Sequence, residues 1–106
     1  MIKVSFFKKG NGIIGFESKG HSGYAEEGSD IICSAVSSAA YMIANTLTEI
    51  LGEQAAITVD DGYMRLVAEK VTEKNQILFK GLALHLNALA QQYESFLSCE
   101  EKLFKE

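Results

Sequence analysis

The sequence has no proline and no tryptophan, one arginine (Arg65), and only two cysteines and two histidines among its 106 residues. Without proline there is no proline-rich linker and no cis-proline turn, so turning falls largely to nine glycines. One arginine, scattered lysines and a formal net charge of -4 exclude nucleic acid as the main ligand, because phosphate contacts need clustered cations. The charge suits a basic protein or peptide partner better. No uninterrupted run reaches the ~20 apolar residues of a membrane span, so no membrane partner is expected. Met1-Ile2-Lys3-Val4 lacks the order of a signal peptide, which reads as a cytoplasmic chain. Both cysteines are then expected to be reduced thiols and not a disulfide.

What is present is enough for a core: 47% of the residues are hydrophobic and 23% charged. That composition excludes intrinsic disorder, and the length makes residues 1–106 a single domain. Residues 2–8 alternate with the two-residue period of a strand, and 13–18 return as a second strand after Lys9-Gly10-Asn11-Gly12. Residues 20–30 carry three glycines and read as a loop. Helical periodicity runs from Ile31 to Leu51, with Ser29 or Asp30 as N-cap and Gly52 at the C-terminal cap. Its apolar stripe holds Ile32, Val36, Ala39, Ala40, Ile43, Leu47, Ile50 and Leu51, wide enough to be buried on more than one side. Residues 56–59 and 63–67 form a second hairpin around Asp60-Asp61-Gly62, and a second helix spans about Asn75 to Tyr93. The tail from Phe96 to Lys105 reads as either an edge strand or a frayed end. The order β-β-α-β-β-α predicts an α+β fold: an antiparallel sheet of four to five strands with two helices packed on one face.

Chemistry concentrates in residues 20–37. Cys33 falls in the first turn of the predicted helix, where free amides and the dipole favour thiolate over thiol. His21 lies twelve residues upstream, near enough along a loop to fold back onto the sulfur. Cysteine and histidine are the minimal set for acyl transfer, one attacking a carbonyl and the other protonating the leaving amine. Asp30 could orient His21 or only cap the helix, and the amides of Cys33 and Ser34 could bind an oxyanion. Ser37 lies one helical turn after Cys33, and Tyr24 is either a pocket wall or a loop anchor. A cysteine on an apolar helix is also commonly a small buried hydrophobe, so the residues alone leave both readings open.

Competing motifs are poorer. Gly23-x-x-x-x-Gly28 lacks the lysine of a phosphate loop and carries Glu26, Glu27 and Asp30, which repel phosphate. His21, Cys33, His85 and Cys99 have no paired metal-ligand spacing, so no metal and no other cofactor is expected. His85 reads as an ordinary helix residue and Cys99 as a bystander thiol.

The string Gly20-His21-x-x-Tyr24-x-x-x-Gly28-x-Asp30-x-x-Cys33-x-x-x-Ser37 closely resembles the signature of the ribosomal-processing cysteine proteases, the Prp family. The two hairpins and the leucine-rich second helix extend the likeness over nearly the whole chain. The resemblance implies Cys33 as nucleophile and His21 as its partner base. It implies polar site positions at Asp30 and Ser37, and loop flexibility and a substrate pocket at Gly20, Gly23, Tyr24 and Gly28. It further implies a cytoplasmic homodimer that removes a short N-terminal extension from a basic large-subunit ribosomal protein, number twenty-seven, after an aromatic residue. Ser22 stands where alanine is frequent in the family. Two other readings of the residues are a non-catalytic module that binds a ribosomal protein, and a thiol redox sensor.

Overall fold

The computed structural model describes residues 1–20 and 27–105, and for 27–30 the backbone alone. Along the chain lie β1 (Ile2–Lys9), β2 (Gly12–Lys19), α1 (Glu27–Asn45), β3 (Ala55–Asp60), β4 (Tyr63–Ala68), α2 (Glu73–Gln92) and β5 (Leu97–Leu103). The five strands make one sheet in the order β3-β4-β2-β1-β5. The two predicted hairpins form, with Phe6 opposite Phe16 in one and Thr58 opposite Arg65 in the other. They join edge to edge through β2 and β4, where Phe16 meets Leu66.

The fold is α+β, with one correction to the sheet. The tail is a strand, and it runs parallel to β1, with Ile2 opposite Leu97 and Val4 opposite Cys99. The sheet is therefore mixed and not purely antiparallel. Parallel strands need a crossover, and here the crossovers are the helices. The chain passes from β2 through α1 to β3, skipping β4, and from β4 through α2 to β5, skipping β2 and β1. The two crossovers start on antiparallel strands and move in opposite directions across the sheet. If both keep the usual right hand, both helices fall on the same face. Packing shows that they do. Phe79 of α2 sits edge-on to Phe16, ring centroids 6.5 Å apart, and α1 lies over Ser18, two residues along the same strand face. Val4, Phe6, Phe16, Leu66, Phe79, Leu86 and Leu97 fill the layer between sheet and helices. An aromatic pair of this geometry adds about 1 kcal/mol beyond the area it buries.

Two helix boundaries differ from the sequence reading. The first helix begins at Glu27, four residues before Ile31, so Gly28, Ser29 and Asp30 are helical and none of them is the N-cap. Acidic residues favour a first helical turn, which extends the helix into the glycine-bearing segment. The other end is as expected: α1 runs directly into a π-turn over Thr46–Ile50 and stops at Gly52, whose φ is +67°. Thr46 and Thr48 donate their hydroxyls back to the carbonyls of Met42 and Ala44. Such bonds compete with the helical ladder and loosen the final turn. In that wider turn Ile50 points to solvent, 77% exposed, and leaves the predicted apolar stripe. The stretch Ile31–Ile50 also has the length and mean hydropathy, 1.4, of a membrane-crossing helix, although no uninterrupted apolar run is that long. Serines, threonines, Asn45 and Glu49 interrupt the run, while its isoleucines and alanines keep the mean high. In the fold a third of that stretch is buried.

The second helix starts at Glu73, with Thr72 as N-cap. Thr72 and Asn75 bond reciprocally, side chain to backbone, as a capping box in which asparagine takes the usual glutamate position. Asn75 is fully buried, and its amide nitrogen donates to Glu53 and to the Lys70 carbonyl. The next residue, Gln76, bonds both the N–H and the C=O of Ile13, which docks α2 onto β2.

Candidate active site

Cys33 lies on the face of α1 that looks toward the sheet, half-buried, and lines a cavity of about 240 Å³. Helical spacing puts Ser37 and Tyr41 on the same face, one and two turns further along, and both line the same cavity. The floor is Ile2, Ser18 and Met64 from β1, β2 and β4. The far wall is the β3–β4 turn, with Val59, Asp60, Asp61, Gly62 and Tyr63. Gly20, at the end of β2, completes the rim. The structure thus brings together three predicted positions, Gly20, Cys33 and Ser37. His21, Gly23 and Tyr24 lie outside the described residues. Gly28 and Asp30 are placed only as backbone of the first turn of α1.

The early start of α1 changes the electrostatics expected at Cys33. Cys33 becomes the seventh residue of the helix, in its second turn and not its first. Only the first four amides of a helix lack intrahelical acceptors, and the dipole fades within that turn. The amides of Cys33 and Ser34 lie beyond those four, so they are not the free donors an oxyanion needs.

Sequence reasoning missed the wall opposite the cysteine. Tyr41 was recoverable, since it stands two turns from Cys33. The Asp60-Asp61-Gly62 turn was legible only as a turn, because nothing in its residues tells which element it faces. It adds two carboxylates to the rim. Beside them, the Tyr63 hydroxyl donates to Glu17 Oε2 at 2.7 Å, while Lys19 Nζ approaches the other Glu17 oxygen at 3.9 Å.

The hydrogen bond to Glu17, then burial, raises the Tyr63 pKa above its ordinary 10.0. A phenol whose folded pKa exceeds its unfolded one adds stability that is complete below about pH 10 and is lost as pH rises through the folded value. Tyr63→Phe is therefore expected to be less stable than the parent near neutral pH, with the gap closing on alkaline titration. Urea midpoints measured across that range check this, and a gap unchanged at high pH would contradict it.

The other thiol differs in setting. Cys99 sits on β5 in a separate cavity with Phe6, Ala83 and Asn87, and burial raises its pKa above the ordinary 9.0. Both thiols are free. His85 is exposed on α2. Among the described residues no group of three His, Cys, Asp or Glu side chains could hold a metal ion.

Comparison with known proteins bears on the same region. The chain is 26% identical to the ribosomal processing cysteine protease Prp of Bacillus subtilis, with 81% of this chain and 83% of that one covered. Its fold matches the crystal structure of SMU.848 from Streptococcus mutans at 29% identity, TM-score 0.87, over 98% of this chain and 96% of the other. It also matches the Staphylococcus aureus protease Prp in complex with a substrate peptide, at 19% identity and TM-score 0.87, over 96% and 100% of the chains; that likeness concerns the fold. The family model for cysteine protease Prp matches residues 1–98, β1 to β4, both helices and Cys33 included, and the chain accordingly belongs to that family of cysteine proteases.

Proposed function

We propose that this protein is the endopeptidase that removes the short N-terminal extension of large-subunit ribosomal protein twenty-seven, with Cys33 as nucleophile and His21 as its base and acid. In this reading His21 takes the proton of Cys33, and the sulfur attacks the scissile carbonyl carbon. Collapse of the tetrahedral adduct breaks the C–N bond, and the proton on His21 goes to the leaving amine. Water, deprotonated by the same imidazole, then hydrolyses the thioester and returns the free thiol.

The observation that carries this reading is the half-buried Cys33 thiol in a cavity shared with Ser37 and walled by an acidic turn. A ribosomal protein is basic, and Asp60 and Asp61 supply the opposite charge at the rim. The B. subtilis relative brings ribosomal processing as the activity to test. Incubation with the extended ribosomal protein is expected to release the extension, visible as a loss of mass, at a rate that falls as salt rises. An unchanged substrate mass after prolonged incubation would overturn the reading.

A cytoplasmic homodimer completes the proposal. Ile31 and Met42 of α1 and Ile77 and Leu84 of α2 are all exposed. Between the two helices runs an apolar groove of about 660 Å³ that Met42 and Ile77 line. A second copy of the same surface would cover it, as an isologous interface does. Sedimentation should give twice the 11.6 kDa chain mass, and Met42→Glu should halve it. A parent protein that sediments as a monomer at micromolar concentration would contradict the dimer.

A further inference from the structure

We infer that Gly20 is a positioning residue: it pins the end of β2 to the β3–β4 turn and to the N-terminal residue at the mouth of the Cys33 cavity. What position 20 then requires is the lack of a side chain and not freedom to move. The inference rests on the reading of Cys33 as nucleophile, and it departs from the loop flexibility that the family resemblance implies for this glycine.

Three observations converge on this residue. Its φ is +102°, a backbone conformation that L side chains rarely adopt. Its N–H donates to the Gly62 carbonyl at 2.9 Å, which ties it to the opposite wall of the cavity. A Cβ built on it would press into the Met1 carbonyl oxygen, far inside van der Waals contact. Neither neighbour is free to retreat. The Ile2 N–H is bonded to Phe96 O at 2.9 Å, and Gly62 lies in a turn closed by the pairing of Asp60 with Tyr63. Tyr63 is in turn paired with Lys19, the residue before Gly20. A hinge would be expected to have an unbonded amide and room on both sides, and Gly20 has neither.

The consequence for catalysis follows from connectivity. His21 is the next residue in the chain, so a displaced Gly20 displaces the start of the segment that carries the base. Misplacement of a reacting group by about 1 Å costs about 100-fold in rate.

The test uses the full chain. In the parent protein, the Gly20 amide is expected to exchange with solvent deuterium as slowly as the ladder amides of β2; exchange near the free-peptide rate would overturn the pin. Chains assembled by ligation with L-alanine or D-alanine at position 20 give the second readout. D-residues take positive φ readily, and the D-methyl replaces the other Cα hydrogen. Gly20→Ala in the L form is expected to lower kcat about 100-fold with KM changed less than about threefold, and the D form to stay within about tenfold of the parent. Equal losses for the two enantiomers, or no loss for either, would overturn the proposal. If the L variant fails to fold, amide exchange in the parent decides alone. That measurement needs no substrate, so it stands apart from any failure of the proteolytic reading.

Discussion

Cys33→Ala is expected to abolish cleavage of the extended ribosomal protein, lowering kcat by at least about 10⁴-fold while the fold and melting temperature hold. Losing a nucleophile in a covalent mechanism removes the whole acylation route, and other proteases lose as much as ~10⁶-fold in this way. The site tolerates the change structurally because Cys33 is half-buried at a cavity wall and not enclosed in the core. Truncation there leaves a slightly larger opening and no sealed void. Thiol labelling supplies the companion measurement. Cys99 is slowed by its raised pKa and its burial against Phe6, so iodoacetamide should modify Cys33 first. Equal, slow labelling of both thiols would count against an activated nucleophile, and residual cleavage within tenfold of the parent would exclude Cys33 as the attacking group.

Asn75→Ala is expected to cost about 3 kcal/mol of stability, as much as truncating a core side chain, because several partners lose their bonds at once. The Asn75 side-chain oxygen accepts from the Thr72 and Gln76 nitrogens, and its nitrogen donates to Glu53 and to the Lys70 carbonyl. Alanine leaves the Lys70 carbonyl and one Glu53 oxygen without this donor and undoes half of the capping box that starts α2. Glu53 also accepts from the Thr72 hydroxyl at 2.8 Å, so the network ties the exit of the first helix to the entry of the second. For a domain of this size the loss corresponds to a fall of about 15 °C in melting temperature. Calorimetry measures it directly. A shift below about 4 °C would mean that water replaces the lost partners at little cost.

Much of the framework was legible in the order of the residues. Alternation in residues 2–8, the glycine-asparagine turn and the Asp-Gly turn are local signals, and both hairpins form where those signals stand. Gly52 ends the first helix as a C-terminal glycine should. The family signature was legible too, because seven residues at set spacings stand in the sequence whatever the fold does with them. Where local signals were absent or unusual, the sequence reading fell short. The start of α1 was missed because a glycine-bearing segment reads as loop until the rest of the helix extends into it. Asn75 concealed a capping box because asparagine replaced the expected glutamate.

The sequence by itself therefore determined which residue types are available for chemistry: one thiol and one imidazole near a glycine-bearing segment, in an acidic chain without proline. Only the tertiary structure decided what surrounds the thiol. The strand that follows α2 crosses the sheet to pair in parallel with β1, a pairing between residues about ninety-five positions apart that no local pattern encodes. The same long-range packing sets Asp60, Asp61 and Tyr63 opposite Cys33. Hydrogen-bonding preferences act over a few residues, whereas the enclosure of a site depends on which faces the core buries together, and burial is settled by the whole chain at once.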